Sequence, residues 1–512
     1  MRELLELLER ESASWKSTDV NSPPPRVEAR LKHLMILIDA DPDARAAAAK
    51  AGALGVLSAV LQQQQAHAAV VRAAAIALAS LLMKSPSALM NFSDVAALPG
   101  LLVGLLTRNP NTDRTDGASV GSWQGKPDST RYHSVCALRG AVRKAANVDA
   151  LVSAGLIGAL ASSHALGSAS AVSTVEAMVA LAGVCAKHAR LPSAAGSQAF
   201  RMAVECLAYA ASGSAAAARQ HHRLACLASE VLTRVLVTGV APVDAESGTA
   251  PGADSAASSL AALLTPALLG RRLRHSATLL TAALALALYL PPQRAQLAAT
   301  GVCATAANLA TGRGQSQLPG VALLRCAQLV VVLAPCVSAV SQRSSAAVLL
   351  SLTLRRLRSH GHTVCPSVHE LSECVLDVLH AVPEAAQVAG AIPLGELSTA
   401  LRDELTLLLQ ELRREGTCCR EQWACGMRAG ERDMAVELTQ GALSSVQSAG
   451  VGAAVGAVAR ANPLQQQGGA AAVAMGVGVG VAAEGVASGA GADVEAGGIG
   501  SRTGHARDSD VW

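Results

Sequence analysis

Aromatic side chains are scarce in this chain, at 2% of its 512 residues. A large compact core usually needs rings to fill it, whereas thin layers between helices can be filled by Ala, Leu and Val. Few rings also means few platforms for stacking RNA bases. Because alanine is the best helix former and lets helices approach closely, the composition favours an all-helical, layered protein.

Charge is scarce as well, since Asp, Glu, Lys and Arg together make up 16% of the residues. The formal net charge is only +4. A dedicated nucleic-acid-binding protein usually shows a strongly basic face. We therefore expect no nucleic-acid partner.

The chain also lacks long uninterrupted apolar runs. The stretch from Ser276 to Leu290 is 15 residues long, short of the roughly 20 that a membrane span requires. A second stretch, 321–340, contains Arg325 and Pro335. The acidic start, MRELLELLERES, has no basic segment followed by an apolar one and is not a secretory signal. We expect no membrane span, and reduced, buried cysteines in a cytoplasmic protein, with cytoskeletal or nuclear association left open.

One stretch, from Ala44 to Met83, indicates the repeating unit. A small-residue helix ends at Ala51-Gly52, a second begins at Ala53-Leu54, and a third follows a Gln-rich turn. The third helix carries apolar residues at helical spacing, beginning with Val71. Such a unit cannot bury its faces alone and needs stacked neighbours.

Copies of the second-helix start recur along the chain, near Leu98, Gly155, Gly301 and Gly390. A weaker copy is implied at 345–348. Two polar, Gly- and Pro-containing stretches, 108–130 and 239–258, read as an inserted loop and a linker. Without them the copies fit a period of about 40 to 47 residues, which is typical of armadillo and HEAT repeats.

The turns themselves resemble the armadillo family. Lys50-Ala-Gly52-Ala-Leu54 and Ala389-Gly390-Ala391-Ile392-Pro393 resemble the armadillo turn and third-helix start, where Gly permits the turn and Pro suits a helix start. The segment around Asn308 resembles the end of an armadillo third helix. The resemblance covers about residues 26–415 and implies an all-α, armadillo/HEAT-like, right-handed α-solenoid. Whether the middle units are armadillo-like or HEAT-like stays open, as does whether the 239–258 linker makes two separate arms.

These observations predict six segments. They are an N-terminal capping helix and Pro-rich turn (1–25), armadillo-like repeats with an inserted loop at 108–130 (26–238), a linker (239–258), further repeats (259–415), a terminal helix (416–441) and a disordered Gly/Ala-rich tail (442–512).

Catalytic and metal-binding patterns are weak. Gly117-Ala-Ser119-Val-Gly121 matches a nucleophile elbow, but it lies in a polar loop rather than at a strand-to-helix turn. His360, His362, Cys365, His369 and Cys374 have no common zinc-finger spacing. We predict no catalytic residue, metal, cofactor or small-molecule substrate.

Two basic clusters are the candidate partner-binding residues, together with Asn308. They are Arg271, Arg272 and Arg274, and Arg355, Arg356 and Arg358. They could form an electropositive stripe for an acidic peptide or for phosphate groups. The alternative is that the second cluster simply complements a helix C-terminus and the first is solvated linker.

The resemblance implies a function as well as a fold. Solenoids of this kind present an extended concave surface for binding, so we expect a non-enzymatic scaffold or adaptor for one or more proteins. One alternative is a regulatory subunit of an enzyme complex, such as a ubiquitin-ligase adaptor. Another is a nuclear-import-type peptide receptor. Resemblance to the nuclear-import adaptors of the armadillo family implies Trp and Asn residues on successive third helices. Only Asn308 fits that arrangement, and the four tryptophans, at 15, 123, 423 and 512, do not.

Overall fold

A computed structural model describes most of the chain. The described residues are 1–14, 25–63, 67–85, 92, 95–107, 130–163, 171–188, 191–212, 218–239, 250–269, 276–311, 320–364, 375–383, 385, 397–413 and 429–460. Within these ranges the chain forms helices and turns and no strand. Residues 1–459 form one compact unit.

The described residues form a succession of helices along the chain. They are α1 (Arg2–Ser14), α2 (Pro25–Ala40), α3 (Pro42–Lys50), α4 (Ala53–Gln63), α5 (Ala68–Lys84), α6 (Leu98–Thr107), α7 (Thr130–Ala141), α8 (Ala145–Ser153), α9 (Leu156–Ser163), α10 (Ala171–Lys187), α11 (Ser193–Ala211), α12 (Ala218–Val237), α13 (Ala253–Leu269), α14 (Ser276–Tyr289), α15 (Gln293–Ala299), α16 (Val302–Thr311), α17 (Gly320–Leu333), α18 (Val340–Val364), α19 (375–383), α20 (Leu397–Arg413) and α21 (Ala429–Arg460).

These helices stack in two layers. In the first, which we call the long-helix layer, each helix packs on the next in the order α2, α5, α7, α10, α12, α14 and α17. In the second layer the order is α1, α4, α6, α9, α11, α13 and α16. Helix α18 packs on both α16 and α17, and α20 packs on α18. The predicted all-α, armadillo/HEAT-like solenoid is therefore confirmed.

Small and aliphatic side chains fill the space between the layers. Leu57, Leu78 and Phe200 are among the largest fully buried side chains. Burying an aliphatic side chain of this size contributes about 1.5–3 kcal/mol. Small residues also allow close helix contact: a Cβ added to Gly140 of α7 would stand 2.5 Å from the backbone carbonyl carbon of Leu82 on α5.

The predicted glycine turn is present and repeated. Gly52, Gly155 and Gly301 have φ angles of 84°, 86° and 80°, a region in which glycine avoids the strain that a side chain would cause. The carbonyl oxygen of each glycine accepts a backbone hydrogen bond from the first turn of the next helix. The turn thus ends one helix and begins another, and the chain bends by 72° at Gly52 and by 67° at Gly155.

A fourth copy of this turn lies where we predicted a linker. Gly252 has a φ of 84°, its carbonyl oxygen accepts from the amide of Ala256 at 3.0 Å, and α13 begins at Ala253. The prediction of a linker over 239–258 is therefore wrong for residues 253–258, which belong to α13. Its Gly-, Pro- and Ser-rich composition is that of a linker, but Ala253, Ala256 and Ala257 are buried in the stack. Residues 240–249 lie outside the described part.

The stack mixes two kinds of unit. Triplets of a short, a middle and a long helix occur at α3–α4–α5, α8–α9–α10 and α15–α16–α17, as in armadillo repeats. In the described residues, α11–α12 and α13–α14 are helix pairs of the HEAT kind. In each triplet the helix that follows the glycine is the middle one. Asn308 consequently lies on the middle helix α16, and not at the end of a third helix as predicted.

Two further predictions need correction near the C-terminus. The weak copy at 345–348 is absent, because these residues lie inside the unbroken helix α18. The tail predicted from residue 442 begins too early, since α21 continues to Arg460 and buries Ala442 and Val446. The copy at Gly390, most of the 108–130 insertion and residues 461–512 lie outside the described residues.

Candidate partner-binding groove

Three successive helices of the long-helix layer enclose a groove of about 570 Å³. Its walls come from the end of α10, the end of α12 and the start of α14. The lining residues are Cys185, Ala186, His188, Glu230, Thr233, Arg234, Val237, Thr238, Ala277, Thr278 and Thr281. Val237 is the largest aliphatic side chain among them.

Two ionic contacts stand at the groove. The guanidinium Nε of Arg234 lies 3.5 Å from Oε1 of Glu230, one turn earlier on α12, and both side chains are half-exposed. On the α10 side, Nε2 of His188 lies 3.4 Å from Oδ1 of Asp149. The other ring nitrogen of His188, Nδ1, is buried and has no hydrogen-bond partner among the described residues.

Three of the four threonine hydroxyls that line the groove donate hydrogen bonds to backbone carbonyl oxygens. Thr233 donates to the carbonyl oxygen of Ser229 at 2.8 Å, and Thr281 donates to that of Ala277 at 2.8 Å. Thr238 donates to the carbonyl oxygen of Arg234 at 2.9 Å. A hydroxyl has one proton and two lone pairs, so these side chains can only accept hydrogen bonds from a ligand.

Cys185 lies at the groove but does not have the properties of a nucleophile. Burial raises the pKa of its thiol to about 12, and the nearby charges of Arg234 and Glu230 act in opposite directions. A thiol with such a pKa is protonated at neutral pH and is unreactive. Cys185 therefore does not supply a reactive thiolate to the groove.

Among the described residues predicted from sequence, neither Asn308 nor the cluster of Arg355, Arg356 and Arg358 lines this groove. Arg271, Arg272 and Arg274 fall outside the described residues. Asn308 is exposed on α16, in the second layer. None of the groove-lining residues belongs to a motif recognisable in the sequence.

The second basic cluster joins two helices of the stack. Arg358 of α18 is 16% exposed and contacts Glu404 at 2.7 Å and Glu411 at 2.6 Å, both on α20. Arg355 also contacts Glu404, with Nε 2.8 Å from Oε1. Burial acts to lower the pKa of Arg358, but its hydrogen bonds and charge interactions with Glu411 and Glu404 outweigh burial and raise that pKa. These contacts favour a structural role for Arg355 and Arg358. Burial lowers the pKa of Arg356, the residue between them in the cluster.

Potential metal ligands do not cluster in the described ranges. No group of three or more His, Cys, Asp and Glu side chains is placed there to hold a metal ion. Cys365, His369 and Cys374 lie outside those ranges, as do the side chains of His360 and His362.

No single helix in the part that the structure describes is both long and apolar enough to cross a membrane, although two bent helix pairs, Pro42–Lys50 with Ala53–Gln63 and Ala145–Ser153 with Leu156–Ser162, would pass by length and composition.

Comparisons with known proteins do not assign the chain to a family. No family model matches the chain, and no curated protein matches it. Among solved structures, the chain is similar to one from a study titled "A conserved phosphorylation switch controls the interaction between cadherin and beta-catenin in vitro and in vivo". The sequence identity is 13%, the TM-score is 0.49, and the match covers 87% of this chain and 83% of that one. At this identity and TM-score, the function of that complex says nothing about the partners of this chain.

Proposed function

We propose that the chain is a non-enzymatic protein-interaction scaffold and that the groove between α10, α12 and α14 receives a segment of a partner protein. The observation that carries this proposal is the groove itself. It opens on the long-helix layer, where three successive helices present side chains to one space.

The size and lining of the groove support this role. A volume of about 570 Å³ falls within the roughly 300–1,000 Å³ of typical ligand sites. Apolar groups from Ala186, Val237 and Ala277 alternate with polar groups from His188 and Glu230. Val237 is 56% exposed, so an incoming side chain could cover an apolar residue that the protein itself leaves in contact with water.

The chemistry of the groove supports binding over catalysis. Its thiol, Cys185, is protonated at neutral pH, as its raised pKa indicates. Glu230 pairs with Arg234 of its own helix, and the hydroxyls of Thr233 and Thr281 donate to backbone carbonyls. None of these groups forms the nucleophile–base pair that covalent catalysis requires.

The nuclear-import alternative receives less support. It requires Asn and Trp side chains on successive long helices, and the one matching residue, Asn308, lies on α16 of the second layer. The four tryptophans lie outside the described residues. No observation singles out the ubiquitin-ligase adaptor role from scaffolds in general.

Site-directed photo-crosslinking in cells that produce the protein would test the proposal. A benzophenone amino acid would replace Thr278, which lines the groove, and, as a matched control, Gln62, which is exposed on α4 of the second layer. We expect discrete crosslinked proteins from position 278, identified by mass spectrometry, that are absent at position 62. They should disappear when Val237→Trp fills the groove. Equal crosslinking at the two positions, or crosslinks that persist in Val237→Trp, would contradict the proposal.

A further inference from the structure

Arg131, in the first turn of α7, is a half-buried cation without a counter-charge among the described residues. Burial alone lowers the pKa of its guanidinium, with no opposing contribution from a carboxylate. Arg139 of the same helix differs, because it pairs with Glu176 of α10 at 2.6 Å. Taking a charge partly out of water without a partner is costly. Arg131 is therefore a position at which an anion would be stabilised.

Carboxylates are scarce on the helices around this position. Helices α5, α6 and α10 pack on α7. Asp and Glu are absent from α5, α6 and α7, and α10 contains only Glu176. That carboxylate is 9% exposed and already belongs to Arg139. The described helices packed on α7 thus provide no free carboxylate for Arg131.

Arg131 lies on the side of α7 that faces α10. Val142, about three turns later and so on the same face, packs against α10, where a Cβ on Gly183 would stand 3.0 Å from its Cγ2. Arg139 and Glu176, which both come earlier on their helices, also meet, so α7 and α10 run parallel. Counted back by the same three turns from Gly183, the residue of α10 level with Arg131 belongs to the first turn of that helix.

Two helix N-termini therefore lie side by side at Arg131. Helix α7 has 12 residues and α10 has 17. The first amide groups of a helix have no partner within it, and the helix dipole places partial positive charge there. Helix N-termini bind phosphate and other anions for these two reasons.

Thr130 supplies a further unused group at the start of α7. Its side chain is 2% exposed, and its Oγ1 is buried with no hydrogen-bond partner among the described residues. The backbone carbonyl oxygen of Thr130 accepts from the hydroxyl of Ser134 at 2.7 Å, so only the side chain is left unpaired. Buried hydroxyls normally have a partner. The start of α7 thus combines an unpaired donor with an unpaired cation.

We propose that the start of α7, together with the first turn of α10, binds a phosphate group. The guanidinium of Arg131 has five N–H donors in a planar fork that suits phosphate oxygens. The hydroxyl of Thr130 and the free amide groups of the two helices add further donors, more than the two oxygens of a carboxylate can use. The phosphate is either inorganic phosphate or a phosphorylated side chain of a partner protein. The site lies at the opposite end of α10 from the groove and does not depend on the scaffold function.

Thermal unfolding of the full-length protein provides the first test. It compares about 10 mM sodium phosphate with sodium chloride of equal ionic strength. Phosphate should raise the Tm by about 2 °C relative to chloride, because a ligand that binds only the folded state stabilises it. Arg131→Gln should lose this shift. Arg131→Lys keeps the charge without the planar fork and should retain part of it.

A second measurement identifies the source of the phosphate. Three fluorescein-labelled peptides carry phosphoserine, Glu or Ser at one position of a Gly–Ser background, and fluorescence anisotropy at low salt follows their binding to the full-length protein. If the phosphate belongs to a partner, the phosphoserine peptide binds about tenfold more tightly than the Glu peptide, and Arg131→Gln removes this preference. If the ligand is inorganic phosphate, the Tm shift occurs and no peptide binds.

Arg201→Gln is the matched control for the change in charge. It removes a cation from an exposed position of α11 in the second layer, and it should leave the Tm shift unchanged and peptide binding within about twofold of wild type. Circular dichroism should give the same helix content for all variants. The proposal is overturned if wild type shows neither the Tm shift nor a preference for the phosphoserine peptide, or if Arg131→Gln responds to phosphate as wild type does.

Discussion

Arg358 of α18 and Glu404 of α20 form an ion pair, with Nη1 2.7 Å from Oε2. Glu404 is only 8% exposed, and a carboxylate buried this deeply needs a partner. We expect Arg358→Ala to lower the free energy of unfolding by about 2 kcal/mol, less than for a fully isolated pair because Arg355 still contacts Glu404. Urea unfolding followed by circular dichroism would measure it.

The control for this ion pair is Arg2→Ala. Arg2 pairs with Glu6 at 3.2 Å on the exposed face of α1, where such a pair contributes about 0–1 kcal/mol. If Arg358→Ala shifts the urea midpoint no more than Arg2→Ala, the pair does not hold α18 and α20 together.

Gly140 is where α7 lies closest to α5. A methyl group there would stand 2.5 Å from the carbonyl carbon and 2.7 Å from the carbonyl oxygen of Leu82. Because both contacts are with backbone, the helices must move apart, and Gly140→Ala should destabilise the protein by about 1–3 kcal/mol. Gly104→Ala on α6, where a Cβ would meet nothing within 4 Å, should instead stabilise it by up to about 1 kcal/mol. Equal melting temperatures for the two variants would contradict this view of the α5–α7 contact.

Gly252 tests whether the stretch before α13 is a turn of the stack. Its φ of 84° costs a residue with a side chain about 1–2 kcal/mol, so Gly252→Ala should lower the melting temperature. Gly55→Ala, inside α4 with open space around its Cβ, serves as the control and should not lower it. A linker without fixed backbone geometry would tolerate both substitutions equally.

Glu11 should make the stability depend on acid pH. Arg30 of α2 donates to it at 2.6 and 2.8 Å. This hydrogen bonding lowers the pKa of Glu11 below its ordinary value of 4.5, against a smaller opposite effect of burial. A carboxyl with a lowered pKa stabilises the fold above its unfolded-state pKa, and that contribution is lost as pH falls through the folded-state value.

Glu11→Gln should therefore be less stable than wild type at pH 7, and the difference should disappear at a pH below the folded-state pKa of Glu11. Thermal unfolding across this range would measure it, with Glu9→Gln as the control because Glu9 is exposed on the same helix. A stability difference that stays constant with pH would show that the Arg30 pair does not shift the titration of Glu11.

Local sequence predicted the features that depend on local geometry. The turns at Gly52, Gly155 and Gly301 could be found because glycine, followed by a small or branched residue, marks a helix start within a few positions. Gly252 was missed because Asp, Pro, Ser and Gly surround it, and this composition is shared by linkers and turns. The burial of α13 that distinguishes the two arises only from packing.

Features that join distant segments could not be predicted in the same way. The partners of Arg358 lie 46 and 53 residues away, so the sequence shows a basic cluster and not an ion pair. The groove combines residues from three helices of different units.

The repeated glycine turn has a consequence for how such a chain can change length. Gly252 and Gly301 have nearly the same φ and begin equivalent helices, α13 and α16. A deletion from Ala253 to Gly301 would therefore join Gly252 directly to Val302 and preserve the turn, whereas a deletion with other endpoints would break it. Gene duplication or loss between equivalent glycines would thus lengthen or shorten the protein by whole units, each with its own set of surface residues.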